Sequence, residues 1–419
     1  MPQTIAEKIL SRVTGRPVRP GEIIYPEPDL VTTHDWYVVN FDAALRKLGV
    51  ERLYAPEKVL ISTDHEPVAL SRQAAERQRA VREIVSRYGI AHFYDVGRGG
   101  HGHIFPMERG LIAPGMLVLA YDPHVTNYGA VGCLGIALVI EISEVLACGS
   151  AWIRVPQTVR IDLHGELQRG VTVRDAAQRM IAELDPDLVD YTVVEFGGPA
   201  LAHIDIDRRM TFCNTPVEIG AKSVVFETDE RTESWLRPRL GERFRHIRSD
   251  EGAHYKAAID YSLALAEPQV AAPPTPDNVL GVSAVAGTKI DYAFIGSCAN
   301  SSLADLRDAA EVLRGHRVQE GVRLIVTPGT QQIAAEAAAE GLIGVFIDAG
   351  ATLTAPGCGP CAGGRIGPLA PGEVSINTGT RNDPGRLGAR DADIYLASPF
   401  TVAASAITGR ITDPREILQ

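Results

Sequence analysis

The stretch DYAFIGSCANSSLADLRDAAEVLR, residues 291–314, reads as a strand (DYAFIG), a cysteine loop (GSCANSS) and a helix (SLADLRDAAEVLR). In open α/β sheets, ligand sites lie at the carboxyl ends of strands, and Cys298 falls at such an end. The start of the following helix offers backbone N–H groups that stabilise a thiolate. The strand–helix pair repeats at once: VRLIVT (322–327) is followed by TQQIAAEAAAEGL (330–342). Such an order builds α/β domains with mostly parallel sheets.

Upstream the order persists. KVLIS (58–62) is a short apolar strand, followed by a long polar helix over residues 71–88. MLVLAY (116–121) reads as a buried strand and residues 131–147 as a helix. TVRIDL (158–163) alternates with a strand period, and VTVRDAAQRMIAEL (171–184) continues as a helix. The clearest interruption is PQVAAPPTPDN (268–278), whose proline density sustains neither a helix nor a central strand. It predicts a linker over 268–284. Domains over 1–157 and 158–267 precede it, and a third over 285–419 follows.

The length, 419 residues, fits two or three domains. The formal net charge is −11 without a lysine- or arginine-rich block, which argues against nucleic acid or an acidic membrane as a main partner. The first residues, MPQTIAEKIL, lack the apolar core of a signal peptide. The most apolar stretch, 131–153, contains Glu141 and Glu144, so a membrane span is not expected there. Six thinly spread cysteines are no secreted disulfide framework and point to the reducing cytoplasm.

Cys358 and Cys361 form GCGPC, a Cys-x-x-Cys pair in a loop rich in glycine and proline. Two intervening residues let both sulfurs face one centre. With Cys298 they make three thiolates, one short of the usual complement of a four-iron cluster. One iron would then be open to act as a Lewis acid. Alone, the pair fits a redox dithiol, a zinc site or buried structural cysteines equally well. Cys133, Cys148 and Cys213 lie in apolar or mixed stretches and read as structural.

Ordered motifs across nearly the whole chain resemble the aconitase superfamily, and more narrowly the large subunits of 3-isopropylmalate dehydratase. They are AEKIL (6–10), VTTHDW (31–36, with His34 and Asp35), TDHEP (63–67), HIFPMERGLIAPGM (103–116) and YDPHVTNYGAVG (121–132). CNTPVEIGAKSVVFETDE (213–230), GSCANSS, GCGPC, TGTRNDPGRLG (378–388) and LASPFTVAASAITGRITDP (396–414) follow. The resemblance implies three α/β/α domains around a 4Fe-4S cluster with one labile, substrate-binding iron, held by Cys298, Cys358 and Cys361. It also implies reversible dehydration and rehydration of a hydroxy di- or tricarboxylate.

By the same resemblance, Asp64 and His65 form the acid pair that protonates the leaving hydroxyl. His103, Asp122, His124 and Glu218 orient water and the substrate hydroxyl. Arg381 and Arg386 bind substrate carboxylates, a task suited to the planar guanidinium fork. Asn300 bonds a cluster sulfur or a substrate oxygen. His101, two residues from His103, is the competing candidate in GGHGH. His103 is preferred because it opens the family's pattern.

The family's catalytic serine belongs to a swivelling domain in a glycine- and serine-rich loop followed by arginine, and this sequence contains no such loop. A small subunit is therefore the expected partner. Three positions depart from the family pattern. Pro123 replaces a serine and removes a backbone donor. Ser302 stands where arginine is common, and TGTRNDPGR differs from the usual asparagine–arginine–asparagine–phenylalanine core. They leave isopropylmalate, homocitrate, a methylated malate and maleate as candidate substrates. A protein with a different metal site, or an iron-sensing, nucleic-acid-binding relative, is the competing class. The acidic balance opposes nucleic-acid binding.

Overall fold

A computed structural model describes residues 1–418, so Gln419, the end of the expected third domain, lies outside the described residues. The chain forms two compact units. One comprises Met1–Leu163, Pro186–Ile206 and Gly220–Asp260; the other comprises His164–Asp185, Asp207–Ile219 and Tyr261–Gln419.

The first unit contains a five-stranded sheet. From edge to edge it runs His92–Tyr94, Val59–Ser62, Leu30–His34, Leu117–Ala120 and Leu134–Ala137. Every pairing is parallel. The central strands are buried at every position, as expected of a parallel sheet covered on both faces. Val31, Val59, Ile61, Leu117 and Leu119 pack with Val38 and Leu45 of the helix Asp35–Lys47 and with Val81 and Ile84 of the helix Arg72–Tyr88. That second helix starts where the Ser71 hydroxyl accepts from Ala74 N and stops at Gly89, which takes a left-handed conformation. A Leu119→Ala change would cost about 2–5 kcal/mol through the cavity it leaves.

The parallel order has a consequence for function. His34, Ser62 and Ala120 end three adjacent strands on the same edge of the sheet. The loops that carry Asp64, His65, Asp122 and His124 start there. A four-stranded sheet in the same unit has the order Ser223–Phe226, Val193–Gly197, Thr158–His164 and Ala257–Ser262, with the first three parallel.

The second unit contains a seven-stranded sheet. Its order is Val279–Gly281, Gln269–Ala271, Asp393–Ala397, Val374–Asn377, Tyr292–Ile295, Arg323–Val326 and Thr352–Leu353. The last five are mutually parallel; the first two are antiparallel. The helix Leu303–Leu313 follows the Cys298 loop and starts at Ser302, whose hydroxyl accepts from Asp305 N in a capping box.

The α/β class with mostly parallel sheets is what the chain forms. Two sequence expectations fail. The segment 268–284 is not a bare linker: Gln269–Ala271 and Val279–Gly281 are strands, with Val270 paired to Ala397. The prolines flank the three-residue run QVA, so its N–H groups stay available for pairing; Gln269 N donates to Asp175 Oδ1 at 2.9 Å. Residues 131–147 are not one helix. They form the strand Leu134–Ala137 and the short helix Ile142–Cys148. An apolar run without periodicity cannot distinguish a buried strand from a buried helix, and here the parallel sheet claims it. Among the described residues, no helix is long and apolar enough to cross a membrane.

Candidate active site

In the first unit, five of the expected residues, Asp64, His65, His103, Asp122 and His124, meet at the carboxyl edge of the five-stranded sheet. Asp64 is fully buried and lies between two histidines. His65 Nδ1 is 2.8 Å from its Oδ1, and His34 Nδ1 is 2.9 Å from both of its oxygens. Gly102 N donates to Asp64 Oδ2 at 2.7 Å. Burial alone would push the Asp64 carboxyl up, but the charges and hydrogen bonds of His34 and His65 hold it well below the usual carboxylate range. Asp35 supports the same loop by accepting from the backbone of His65 and Glu66 at 3.2 and 3.0 Å.

A second carboxylate, Asp122, is 3.1 Å from both His103 Nε2 and His124 Nδ1. Burial raises its pKa; the nearby His124 and His103 more than reverse that and hold it well below the usual range. Asp122 also accepts from His124 N at 2.8 Å and so caps the 3₁₀ helix Pro123–Val131. Pro123 is the first residue of that helix, where its missing N–H costs no hydrogen bond and its fixed φ favours the turn. The departure at 123 is therefore structurally accommodated.

The two carboxylate groups are joined. His34 Nε2 lies 3.0 Å from His103 Nε2. These neighbouring rings are displaced in opposite directions. Burial opposes charge on His34, but Asp64, with help from Asp122 and Asp35, pushes it up to about 9. Burial and the His34 charge bring His103 down to about 4, against the pull of Asp122. His103 Nδ1 is buried without a hydrogen-bond partner. His101 is equally buried, 3.9 Å from Asp64 Oδ2, and burial drives it well below its ordinary value. The choice between His101 and His103 thus separates a ring beside Asp64 from a ring that touches Asp122; both are in the cluster.

The glycine-rich segment before these histidines has a steric reason. A Cβ on Gly102 would lie 2.3 Å from Ser62 Oγ and 3.2 Å from Asp64 Oδ2. Glycine lets the loop backbone reach the carboxylate, and the Tyr128 hydroxyl holds it there by donating to Gly102 O at 2.5 Å.

The second unit brings together the thiols and the arginines. Cys298 follows the strand Tyr292–Ile295, and Cys358 and Cys361 bracket a 3₁₀ turn, Gly359–Cys361. They are 5, 7 and 6% exposed. Gly359 adopts φ +59° where a Cβ would strike Thr327 Oγ1 at 2.4 Å, so the turn between the two thiols requires glycine.

The surroundings of these thiols fit an anionic iron–sulfur group. Asn214 Nδ2 donates to Cys298 Sγ at 3.0 Å, and Arg386 Nη2 is 3.6 Å from Cys361 Sγ. Arg174 is buried and donates Nη2–H to Gly379 O at 2.7 Å, while its Nε has no acceptor. Burial brings its pKa down to about 10, still a cation at neutral pH, with Glu218, Asp175, Cys298 and Cys361 opposing the shift. Buried N–H donors aimed among thiols suit cluster sulfur, which accepts weak hydrogen bonds.

Asn300 donates Nδ2–H to Asp305 Oδ1 at 2.9 Å and faces Thr211 Oγ1 at 3.5 Å, and its Oδ1 is buried without a partner. That oxygen suits a hydroxyl or water donor. Glu218 and Arg381 are an ion pair, Arg381 Nε to Glu218 Oε2 at 2.7 Å. Arg381 remains 42% exposed, leaving its outer nitrogens for a ligand.

Sequence reasoning assigned no role to His34, Asn214 or Arg174. His34 and Asn214 lay inside quoted motifs, and a histidine at the end of a buried strand was the available signal. Arg174, an arginine in the first turn of a capped helix, carried none.

A family model described as the aconitase family (aconitate hydratase) matches residues 7–409. The chain is 40% identical over 419 residues to the 3-isopropylmalate dehydratase large subunit 1 of Methanopyrus kandleri, covering all of both chains. It is 42% identical over 428 residues to the homoaconitase large subunit of Thermus thermophilus, covering 100% of this chain and 98% of that one. Among solved structures it is similar to holo-form aconitase X of Thermococcus kodakaraensis, with TM-score 0.48 and 13% identity over 90% of this chain and 88% of that one.

Proposed function

The chain belongs to the aconitase family, and from that premise we propose that it is the large subunit of an iron–sulfur hydro-lyase that interconverts 3- and 2-isopropylmalate. The observation that carries the reading is the incomplete thiol set, Cys298, Cys358 and Cys361, with N–H donors from Asn214 and Arg386 on its sulfurs. A bound four-iron cluster supplies a Lewis acid at the iron that no cysteine ligates.

The chain's own residues do the rest. Asp64 accepts from His65 Nδ1, which fixes the ring and makes Nε2 the nitrogen that gives up a proton to the departing hydroxyl. Asp122 orients His124 and touches His103, holding both rings toward the water and the substrate hydroxyl. Arg381, steadied by Glu218, and Arg386 bind the substrate carboxylates. The proton abstracted from carbon requires a base, which we assign to a serine on the swivelling domain of a separate small subunit.

A second reading replaces isopropylmalate with homocitrate; the 42% identity to the Thermus homoaconitase large subunit favours it. Anaerobic co-expression with the small subunit, followed by alkene absorbance assays on a panel of hydroxy acids, separates the two. Turnover of isopropylmalate above the others is expected. No turnover of any hydroxy acid by a fully loaded complex would remove the hydro-lyase reading.

A further inference from the structure

Two loops of the second unit are tied together just before the first cluster cysteine. The strands Tyr292–Ile295 and Val374–Asn377 are adjacent and parallel, so the segments that leave their carboxyl ends start side by side. One segment carries Cys298; the other carries Arg381 and Arg386. Ser297 Oγ donates to Thr378 O at 2.9 Å. Thr378 Oγ1 accepts from Gly296 N at 2.8 Å and donates to Gly296 O at 2.9 Å. Both side chains are buried.

The backbone at this tie is strained. Ser297 has φ +77°, and among the described residues Tyr191 is the only other non-glycine in the left-handed region. A residue with a Cβ holds that conformation only where its surroundings impose it. The bend directly precedes Cys298, so it sets where the cysteine begins as the chain leaves the strand.

We propose that Ser297 is a positioning residue for Cys298: its hydroxyl, locked to Thr378, holds a strained bend that fixes the thiol's place in the three-cysteine set. This inference rests on the reading above, in which Cys298 ligates the cluster.

The choice of side chain makes the case. Glycine would take this φ without strain, yet a serine stands there. What serine adds is a hydroxyl, and that hydroxyl bonds on both sides of the cysteine: it donates to Thr378 O and accepts from Ala299 N at 3.3 Å. The helix Ile206–Asn214 fixes the same segment from another direction. Thr211 Oγ1 donates to Ala299 O at 2.8 Å, and Asn214 Nδ2 donates to Cys298 Sγ at 3.0 Å. The anchor at Thr378 is itself held. Thr378 N donates to Phe294 O. The next residue, Gly379, donates its N–H to Asn377 Oδ1 at 2.8 Å and accepts from Arg174 Nη2 at 2.7 Å. A metal ligand held by such bonds returns to one position, which a free glycine bend would not ensure.

The test uses the full chain as wild type, Ser297→Gly, Ser297→Ala, Thr378→Val and Thr378→Ser. One readout is the urea midpoint of each cluster-free chain. The other is the rate at which the anaerobically reconstituted chain loses all visible cluster absorbance in excess EDTA without oxygen. Ser297→Gly removes the hydroxyl and the strain, whereas Ser297→Ala removes the hydroxyl alone. The glycine variant is expected to have the higher urea midpoint of the two, the reverse of the order at an ordinary position. Both variants are expected to lose the cluster about tenfold faster than wild type. Thr378→Val should match that faster rate, and Thr378→Ser, which keeps the hydroxyl, should keep the wild-type rate. A wild-type rate of cluster loss in Ser297→Gly overturns the proposal, and so does a higher midpoint for Ser297→Ala. If Ser297→Ala or Thr378→Val fails to fold, the rates of Ser297→Gly and Thr378→Ser decide: equal rates overturn it. A wild-type chain that takes up no iron would fault the iron–sulfur reading, and the midpoint order of the cluster-free chains would still decide whether Ser297 holds a strained bend.

Discussion

The histidine–carboxylate cluster of the first unit and the thiol loops of the second are both buried and polar, but they satisfy their polar atoms in different ways. In the first, two carboxylates are joined through adjacent histidines, and each carboxylate has two histidines. Its carboxylates are fully paired, and His103 Nδ1 is the ring nitrogen of the cluster left without a partner. In the second, Arg174 Nε, Asn300 Oδ1 and Thr380 Oγ1 are buried without partners beside three thiols. Buried polar groups are normally paired, because leaving one unpaired costs about 1–3 kcal/mol. The closed region is preorganised by the chain alone. The open region is built around something that the chain does not itself supply.

The sharpest way to break the closed region is Asp64→Asn. It strands the His34 cation and frees His65 from its anchor. Turnover of the complex is expected to fall about 10²–10⁴-fold, and a urea titration to show about 3–5 kcal/mol less stability. A variant that keeps wild-type kcat would mean that the line of contacts is not part of the chemistry.

Changing pH loosens the same region without mutation. His34 is raised from its ordinary 6.5 to about 9, so its contribution to folding is full below pH 6.5 and is lost as pH rises through about 9. Asp64 is lowered below its ordinary 3.8, so its contribution is present above pH 3.8 and lost as pH falls below that. Thermal melts should therefore show a loss of up to about 3 kcal/mol between pH 6.5 and 9. The Asp64→Asn chain should lack that alkaline loss.

In the open region, Asn214→Ala removes the amide donor on Cys298 Sγ. The bound cluster is expected to bleach in air about tenfold faster, read from its visible absorbance, while the melting curve of the cluster-free chain changes little. The smallest effect belongs to Ser302→Ala. Ser302 departs from the family's common arginine, yet it caps a helix. Its loss should cost about 1 kcal/mol of stability and leave KM unchanged. An altered substrate preference would make Ser302 a contact for substrate instead.

The same contrast governs what could be read from the sequence. Strand–helix order and apolar runs announced the parallel sheets, because burial on both faces writes itself as continuous apolar sequence. Cys358–Cys361 and Asp64–His65 were legible because their spacing is local. His34 was not, since its contacts depend on three strands bringing 34, 64 and 103 to one sheet edge across long stretches of chain. Asn214 and Arg174 were hidden for a similar reason: their partners, Cys298 and Gly379, are 84 and 205 residues away. Gln269–Ala271 was misread because prolines on either side masked three residues free to pair.

The central claim is that Cys298, Cys358 and Cys361 hold a four-iron cluster with one iron left open. Iron and acid-labile sulfide analysis of the full chain, reconstituted anaerobically, tests it most directly when paired with the same measurement on Cys361→Ser. About four irons and four sulfides per wild-type chain, with the cluster lost or diminished in the variant, are expected. Zinc in place of iron, or a variant that retains the full complement, would contradict the account.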